Sequence, residues 1–168
     1  SNNKIYLGSA DWGPRYFMYD MNFVTPTPSL QFTEISSVLT NAGWSSYPIY
    51  DIAYSSNANA MVLGGYNGRT AMHSTGSATA AFRDFSLQPD WGWNHVYDIF
   101  SDGSNNYFAG TGGRLSKLQR AGSFWTYIPL TSTITPVWST WAVNAVSGKI
   151  GGDIFLVGDS GKFARYNT

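Results

Sequence analysis

The sequence predicts an all-β protein, a β-propeller of about four four-stranded blades whose first and last blades are incomplete. Three observations carry that reading. Trp44, Trp91 and Trp138 stand 47 residues apart, and a period of about 40–50 residues is one blade of such a fold. Each Trp leads into a short run of apolar and aromatic residues: Ile49–Ser55, Val96–Ser101 and Ala142–Ser147. Each run is followed by a second apolar run that ends in a G-x-x-G-[RK] turn: Gly65-Tyr66-Asn67-Gly68-Arg69, Gly110-Thr111-Gly112-Gly113-Arg114 and Gly158-Asp159-Ser160-Gly161-Lys162. Glycine supplies the positive φ that a tight hairpin needs, which explains its recurrence there.

The elements follow in order within each unit. Strand A is the run after the Trp. Strand B is Met61–Gly65, Tyr107–Gly110 or Ile154–Gly158. Strand C begins at the basic residue after the turn. Strand D is placed at Gln31–Ser36, Phe82–Leu87 and Trp125–Leu130. An early copy of strand B, Ile5–Gly8, has a longer turn through Asp11, Trp12 and Gly13 to Arg15, with Gly8 matched to Gly65. The whole chain, 1–168, reads as one propeller domain or a propeller fragment, with repeats at about 1–40, 41–88, 89–135 and 136–168. The first unit lacks strand A and the fourth lacks strand D, giving fourteen strands. Open ends expose strand edges, so the chain is expected to be part of a longer one or to join another chain, as in a homo-oligomer.

The segments IYDIAYSS…AMVLGGYNGRTAMHS and VYDIFSDG…NYFAGTGGRLSKLQ resemble the repeats of the photosystem-assembly-factor and sialidase-like (BNR) propellers. The resemblance implies the fold. It implies little about activity, because such repeats serve enzymes, assembly factors and adhesive domains alike. The Asp-box of those repeats is degraded: its nearest match, Arg120–Trp125, lacks the Asp.

Composition narrows the function. Charged residues make up 12% and balance to a net charge of zero, which argues against a general nucleic-acid binder. There is no cysteine, which removes disulfides, thiol catalysis and zinc-thiolate sites. Glu34 is the single glutamate, so a paired-glutamate glycosidase is excluded, although an aspartate pair is not. His73 and His95 are too few to cluster around a metal, and structural or solvent-facing roles fit them better. Asp51 and Asp98 share one repeat position, with Asn144 third, which points to repeated capping hydrogen bonds rather than a catalytic acid. Asp102-Gly103-Ser104-Asn105 has calcium-type oxygens without an EF-hand around them. No catalytic residue, cofactor or metal is assigned.

Two repeated features suit recognition. Arg69, Arg114 and Lys162, with Arg15 loosely equivalent, follow related turns and would lie on a ring facing an anionic partner, or simply be solvated. The aromatic residues at turns suit sugar rings, whose C–H faces stack while hydroxyls hydrogen-bond. Trp44, Trp91 and Trp138 are expected to pack between blades. Trp12 and Trp93 fall outside the repeat. With Tyr66, Asn67 and Asn94 they complete the candidate ligand site: Trp12, Arg15, Tyr66, Asn67, Arg69, Trp93, Asn94, Arg114 and Lys162. The expected function is non-enzymatic recognition of a cell-surface glycan or protein receptor, outside the cell or on a virion surface, as in a lectin, adhesin or tail fibre. A scaffold that docks a protein partner is the alternative, and a sialidase-like glycosidase is third. Nucleic acid and a membrane span are not expected.

Overall fold

The computed structural model describes residues 4–9, 15–22, 29–41, 44, 47–56, 58–74, 81–84, 94–110, 113–121, 124–130, 142–149 and 151–167. They form four antiparallel sheets. The first holds β1 (Lys4–Gly8), β2 (Tyr16–Asn22) and β3 (Ser29–Glu34), followed by one short helix, α1 (Ser37–Asn41). The second holds β4 (Ile49–Ser55), β5 (Ala60–Gly65), β6 (Arg69–Ser74) and β7 (Ala81–Asp84). The third holds β8 (Val96–Ser101), β9 (Asn105–Gly110), β10 (Arg114–Ala121) and β11 (Phe124–Pro129). The fourth holds β12 (Val143–Gly148), β13 (Ile154–Gly158) and β14 (Lys162–Tyr166). Within each sheet, strands consecutive in sequence are neighbours. Among the described residues no helix is long and apolar enough to cross a membrane.

The sheets are stacked face to face in series, and each seam has its own core. Tyr16 from the first sheet meets Ile49, Met61, Leu63 and Ala71 from the second, with Val38 and Leu39 of α1 and Trp44 closing the cluster. Ala60, Val62 and Met72 meet Val96, Ile99, Phe108 and Leu118. Tyr107, Ala109, Leu115 and Leu130 meet Val143, Val146, Ile154, Leu156 and Ala164. β5 lies between two seams, and all six of its residues are buried. β13 alternates buried and exposed, because among the described residues nothing covers its far face. Trp44 is fully buried, as expected, and its Nε1–H donates to the Tyr47 carbonyl at 2.7 Å. Trp91 and Trp138 lie outside the described residues.

Strands A (β4, β8 and β12) run side by side, and a carboxylate links each to the next. Asp51 Oδ2 accepts the Ile99 N–H at 2.8 Å, and Asp98 Oδ2 accepts the Val146 N–H at 2.6 Å. The expected capping role thus takes the form of a cross-seam link. Asn144 is not the third member of this set. Each strand A carries a bulge, between Ile49 and Asp51, Val96 and Asp98, and Val143 and Ala145. The register therefore puts Ala145 with the aspartates and Asn144 with Tyr50 and Tyr97, and the bulge absorbs the extra residue.

A second register correction concerns Gly8. A Cβ there would meet Ile49 at 2.8 Å and Ile52 at 2.9 Å, just as one on Gly64 would meet Val96 at 2.5 Å and Ile99 at 3.0 Å. Gly8 therefore matches Gly64, not Gly65, and this offset puts Arg15 at the position of Arg69. The G-x-x-G turn also divides its glycines between two jobs. The residues before and at the second glycine take positive φ, Asn67 at 53° with Gly68 at 68° and Ser160 at 57° with Gly161 at 70°, the signature of a type I′ hairpin. Gly65 has an extended φ of −171° and is glycine because a Cβ would run into the Pro48 carbonyl and the Trp44 ring. In the first sheet, strand D ends at Glu34 rather than Ser36. The Ser36 hydroxyl leaves the ladder to accept the Tyr16 N–H at 3.0 Å and donate to Glu34 at 2.9 Å.

Candidate functional site

Aromatic side chains gather at the seam between the second and third sheets, at the end where strands A begin and the glycine turns lie. The left-handed turn after β5 carries Tyr66, and the segment before β8 carries His95. The two rings stack with centroids 4.4 Å apart and planes 26° apart. Tyr47 covers the other side of Tyr66 at 5.7 Å, nearly parallel at 6°. The Arg69 guanidinium caps the pile, 4.6 Å from the Tyr47 centroid, a cation–π contact of the kind arginine favours. Arg69, Tyr47, Tyr66 and His95 thus form one continuous stack across the seam.

The bulges complete it. By adding a residue they re-aim Tyr50 and Tyr97 out of the strand alternation. Both rings present edges to His95 at 6.0 Å, and they lie 5.9 Å from each other. The Asn67 N–H donates to His95 Nδ1 at 3.0 Å. That bond requires Nδ1 to be unprotonated, and burial also lowers the His95 pKa, so geometry and desolvation both select the neutral ring. Burial, followed by neighbouring Tyr97 and Tyr66, raises the Tyr50 hydroxyl; burial, followed by Asp159, raises that of Tyr97. The surface offers stacked rings, phenol hydroxyls that remain protonated and one cation. The rings are half-buried, so edges and hydroxyls stay within reach of a ligand. In the fourth sheet Asp159 replaces Tyr66 and Asn144 replaces Tyr97. Asn144 Nδ2 donates to Asp159 at 2.8 Å, so a polar pair stands where the aromatic stack would be.

Of the residues expected from the sequence, the structure brings together Tyr66, Asn67 and Arg69, with Asn94 adjoining His95. Arg15, Arg114 and Lys162 occupy the register position of Arg69, one per sheet, each opening or preceding a strand C. Arg15 is exposed and the other two are half-buried. Trp12 and Trp93 lie outside the described residues. Tyr47, Tyr50, Tyr97 and His95 were not anticipated as site residues. The signal available for the two bulge tyrosines was their identical place in IYDI and VYDI.

The other chemical candidates resolve into structure. His73 is buried, with Nδ1 3.2 Å from the Tyr16 hydroxyl. Asp102 turns Oδ1 to the Ser104 and Asn105 N–H groups at 2.8 and 2.6 Å, and Oδ2 to Asn105 Nδ2 and the Tyr107 hydroxyl. Burial alone would raise its pKa, but these hydrogen bonds outweigh it and hold the carboxylate below its ordinary range. Its oxygens thus organise the A–B turn. Among the described residues no three His, Cys, Asp or Glu side chains group to hold a metal ion.

No family model matches the sequence, and no curated protein matches it. Solved structures do. The extracellular domain of the hybrid two-component system BT4673 from B. thetaiotaomicron superposes on all of this chain with a TM-score of 0.65 at 14% identity. YCF48 from Cyanidioschyzon merolae superposes on 96% of it with a TM-score of 0.51 at 16% identity. The chain spans 20% of the first structure and 50% of the second. At these identities the likeness shows the fold, a propeller-like array of antiparallel sheets.

Proposed function

We propose that this chain is a non-enzymatic recognition module that acts outside the cell, binding a surface glycan at the seam between its second and third sheets. The stack Arg69–Tyr47–Tyr66–His95 carries the reading. A glycan ring needs an aromatic face or edge for its C–H groups and hydrogen-bonding neighbours for its hydroxyls. Tyr50 and Tyr97 lie around this stack, and Asn67 adjoins it through its N–H to His95. Among the described residues the stack occurs once, at the seam between the second and third sheets, as expected of a site rather than of the scaffold. The likeness to the extracellular domain of BT4673 supports the setting, and the degraded Asp-box and single glutamate favour binding over glycoside cleavage.

A second reading, a scaffold that docks a protein, rests on the far face of the fourth sheet. Phe155, Val157 and Phe163 are 40%, 48% and 60% exposed there. A glycan array probed with the wild type and with Tyr66→Ala separates the two. The expected result is binding to a defined glycan set, weakened roughly tenfold or more by Tyr66→Ala at an unchanged fold. Equal binding by both proteins, or none by the wild type alongside a co-purifying protein partner, would replace this reading with the scaffold.

A further inference from the structure

Two titratable side chains link the second sheet to the third. Within the strands, Asp51 Oδ2 accepts the Ile99 N–H. At the end that carries the aromatic stack, His95 Nδ1 accepts the Asn67 N–H at 3.0 Å. The turn after β5 closes on other groups: the Arg69 N–H donates to the Tyr66 carbonyl, and the Tyr66 N–H donates to the Pro48 carbonyl at 3.2 Å. The Asn67 N–H is thus the bond this turn makes across the seam, and it fixes the ring that stacks 4.4 Å from Tyr66. A proton on Nδ1 turns that acceptor into a donor. Two N–H groups then face each other, and flipping the ring only puts a C–H in place of the lost acceptor.

We infer that His95 is a pH latch on this site: its neutral ring holds the stack together, and its protonation in mildly acidic solution parts it from Asn67 and Tyr66 and releases the ligand. Release of a glycan rests on the function proposed above; the latch itself does not. His95 is half-buried, so solvent protons reach it, and burial holds its pKa below the ordinary 6.5. The assembled stack therefore favours the neutral ring. That contribution is complete above 6.5 and is lost as pH falls through the lowered value. Among the described residues, His95 faces Tyr66 and Asn67 from the turn after β5, Tyr50 from β4 and Tyr97 from β8. The phenols of Tyr50 and Tyr97 are raised above their ordinary value and stay neutral in this range. Arg69 lies at the far end of the stack on Tyr47, Asp159 acts on Tyr97, and Asp51 and Asp98 follow Tyr50 and Tyr97 in sequence. Asp51 responds in the opposite sense. Burial, then the charge of Asp98, pushes its carboxyl up to about 6, and a protonated carboxyl still has an oxygen for the Ile99 N–H. Acid thus loosens the end that carries the stack while the link within the strands persists.

The test follows the intact chain, without ligand, by nuclear magnetic resonance from pH 8 to pH 4.5, reading the His95 ring nitrogens and the Asn67 amide. His95 is expected to titrate below 6.5 from the tautomer protonated on Nε2. The Asn67 amide should shift with the same midpoint, and its protection against hydrogen exchange should fall at least fivefold. His95→Phe keeps a ring for Tyr66 but has no nitrogen, and should abolish this pH dependence. Asp51→Asn removes the other group that titrates in the range and should preserve it. Three results would overturn the inference: an Asn67 amide that does not follow His95, a His95 titration at or above 6.5, or a pH dependence that Asp51→Asn removes. A glycan array read at pH 7.5 and pH 5 supplies the second arm. The wild type should bind at least threefold more weakly at pH 5, and His95→Phe should bind equally at both. Equal binding by the wild type at both pH values would overturn the release. An array with no glycan bound at either pH, beside the expected resonance titration, would overturn the glycan reading and support the latch.

Discussion

Replacing Asp51 with Asn should stabilise the protein at neutral pH and leave it nearly unchanged at pH 4. Burial pushes the Asp51 carboxyl from 3.8 up to about 6, helped by the charge of Asp98 and by a hydrogen bond with the Asp98 carboxyl, against the lowering effect of the Ile52 and Ile99 N–H groups. The folded state therefore holds this proton more tightly than the unfolded chain does. Its stabilising contribution is complete below about pH 4 and is lost as pH rises through about 6. At 1.36 kcal/mol per pH unit, the gap between 3.8 and about 6 amounts to roughly 3 kcal/mol. Partial solvent access screens it to about 1–2 kcal/mol. Asn keeps an oxygen for the Ile99 N–H, offers Asp98 a donor and never ionises. The assay is thermal unfolding of both proteins between pH 4 and pH 8. The difference in melting temperature should start near zero, open between pH 4 and pH 6 and level off at roughly 2–6 °C in favour of the variant. A difference that does not vary with pH, or a variant less stable than wild type at pH 7, would mean that the folded state does not hold the Asp51 proton more tightly than the unfolded chain.

Other substitutions test the register and the core. Gly65→Ala should destabilise by about 1–3 kcal/mol, because the new methyl meets the Pro48 carbonyl and Trp44. Gly161→Ala, with open space around it at φ 70°, should cost only the left-handed strain of about 1 kcal/mol; denaturant midpoints rank the two. Trp44→Ala removes a fully buried indole and should cost about 3–5 kcal/mol, read as a lowered midpoint in the same assay. His95→Gln should weaken binding at the proposed glycan site more than it lowers the melting temperature, since it removes the ring stacked on Tyr66 at 4.4 Å.

The strands were legible because each unit repeats the same local chemistry. An apolar run, a glycine turn with positive φ and a basic residue recur, and the strands found at Ile49–Ser55, Val96–Ser101 and Ile154–Gly158 match the expected spans. Register was harder to read. The bulges at Tyr50, Tyr97 and Asn144 leave no mark in composition, so Asn144 aligned with the aspartates when counted by residue type. Gly8 matched Gly65 by its place at the end of an apolar run, whereas close packing against Ile49 and Ile52 ties it to Gly64. In the site, Tyr66, Asn67 and Arg69 were visible because they belong to the turn itself. Tyr47 and His95 reach the same stack from other segments, and no local periodicity reports a contact made across a seam.

The carboxylate links from Asp51 to Ile99 and from Asp98 to Val146 also bear on how the molecule opens. Units joined mainly to their neighbours do not unfold as one block, and their opening energies are graded along the stack. The amide hydrogens of Ile99 and Val146 point across seams rather than along a ladder. Their exchange with solvent therefore reports separation of neighbouring sheets while the strands within each sheet remain paired. Among the described residues the first and fourth sheets each pack against one other sheet and the middle two against two, so within this chain the amide of Ile99 should exchange more slowly than that of Val146. That ordering makes these two amides a gauge of how far separation of the fourth sheet propagates before it reaches the aromatic stack between the second and third sheets.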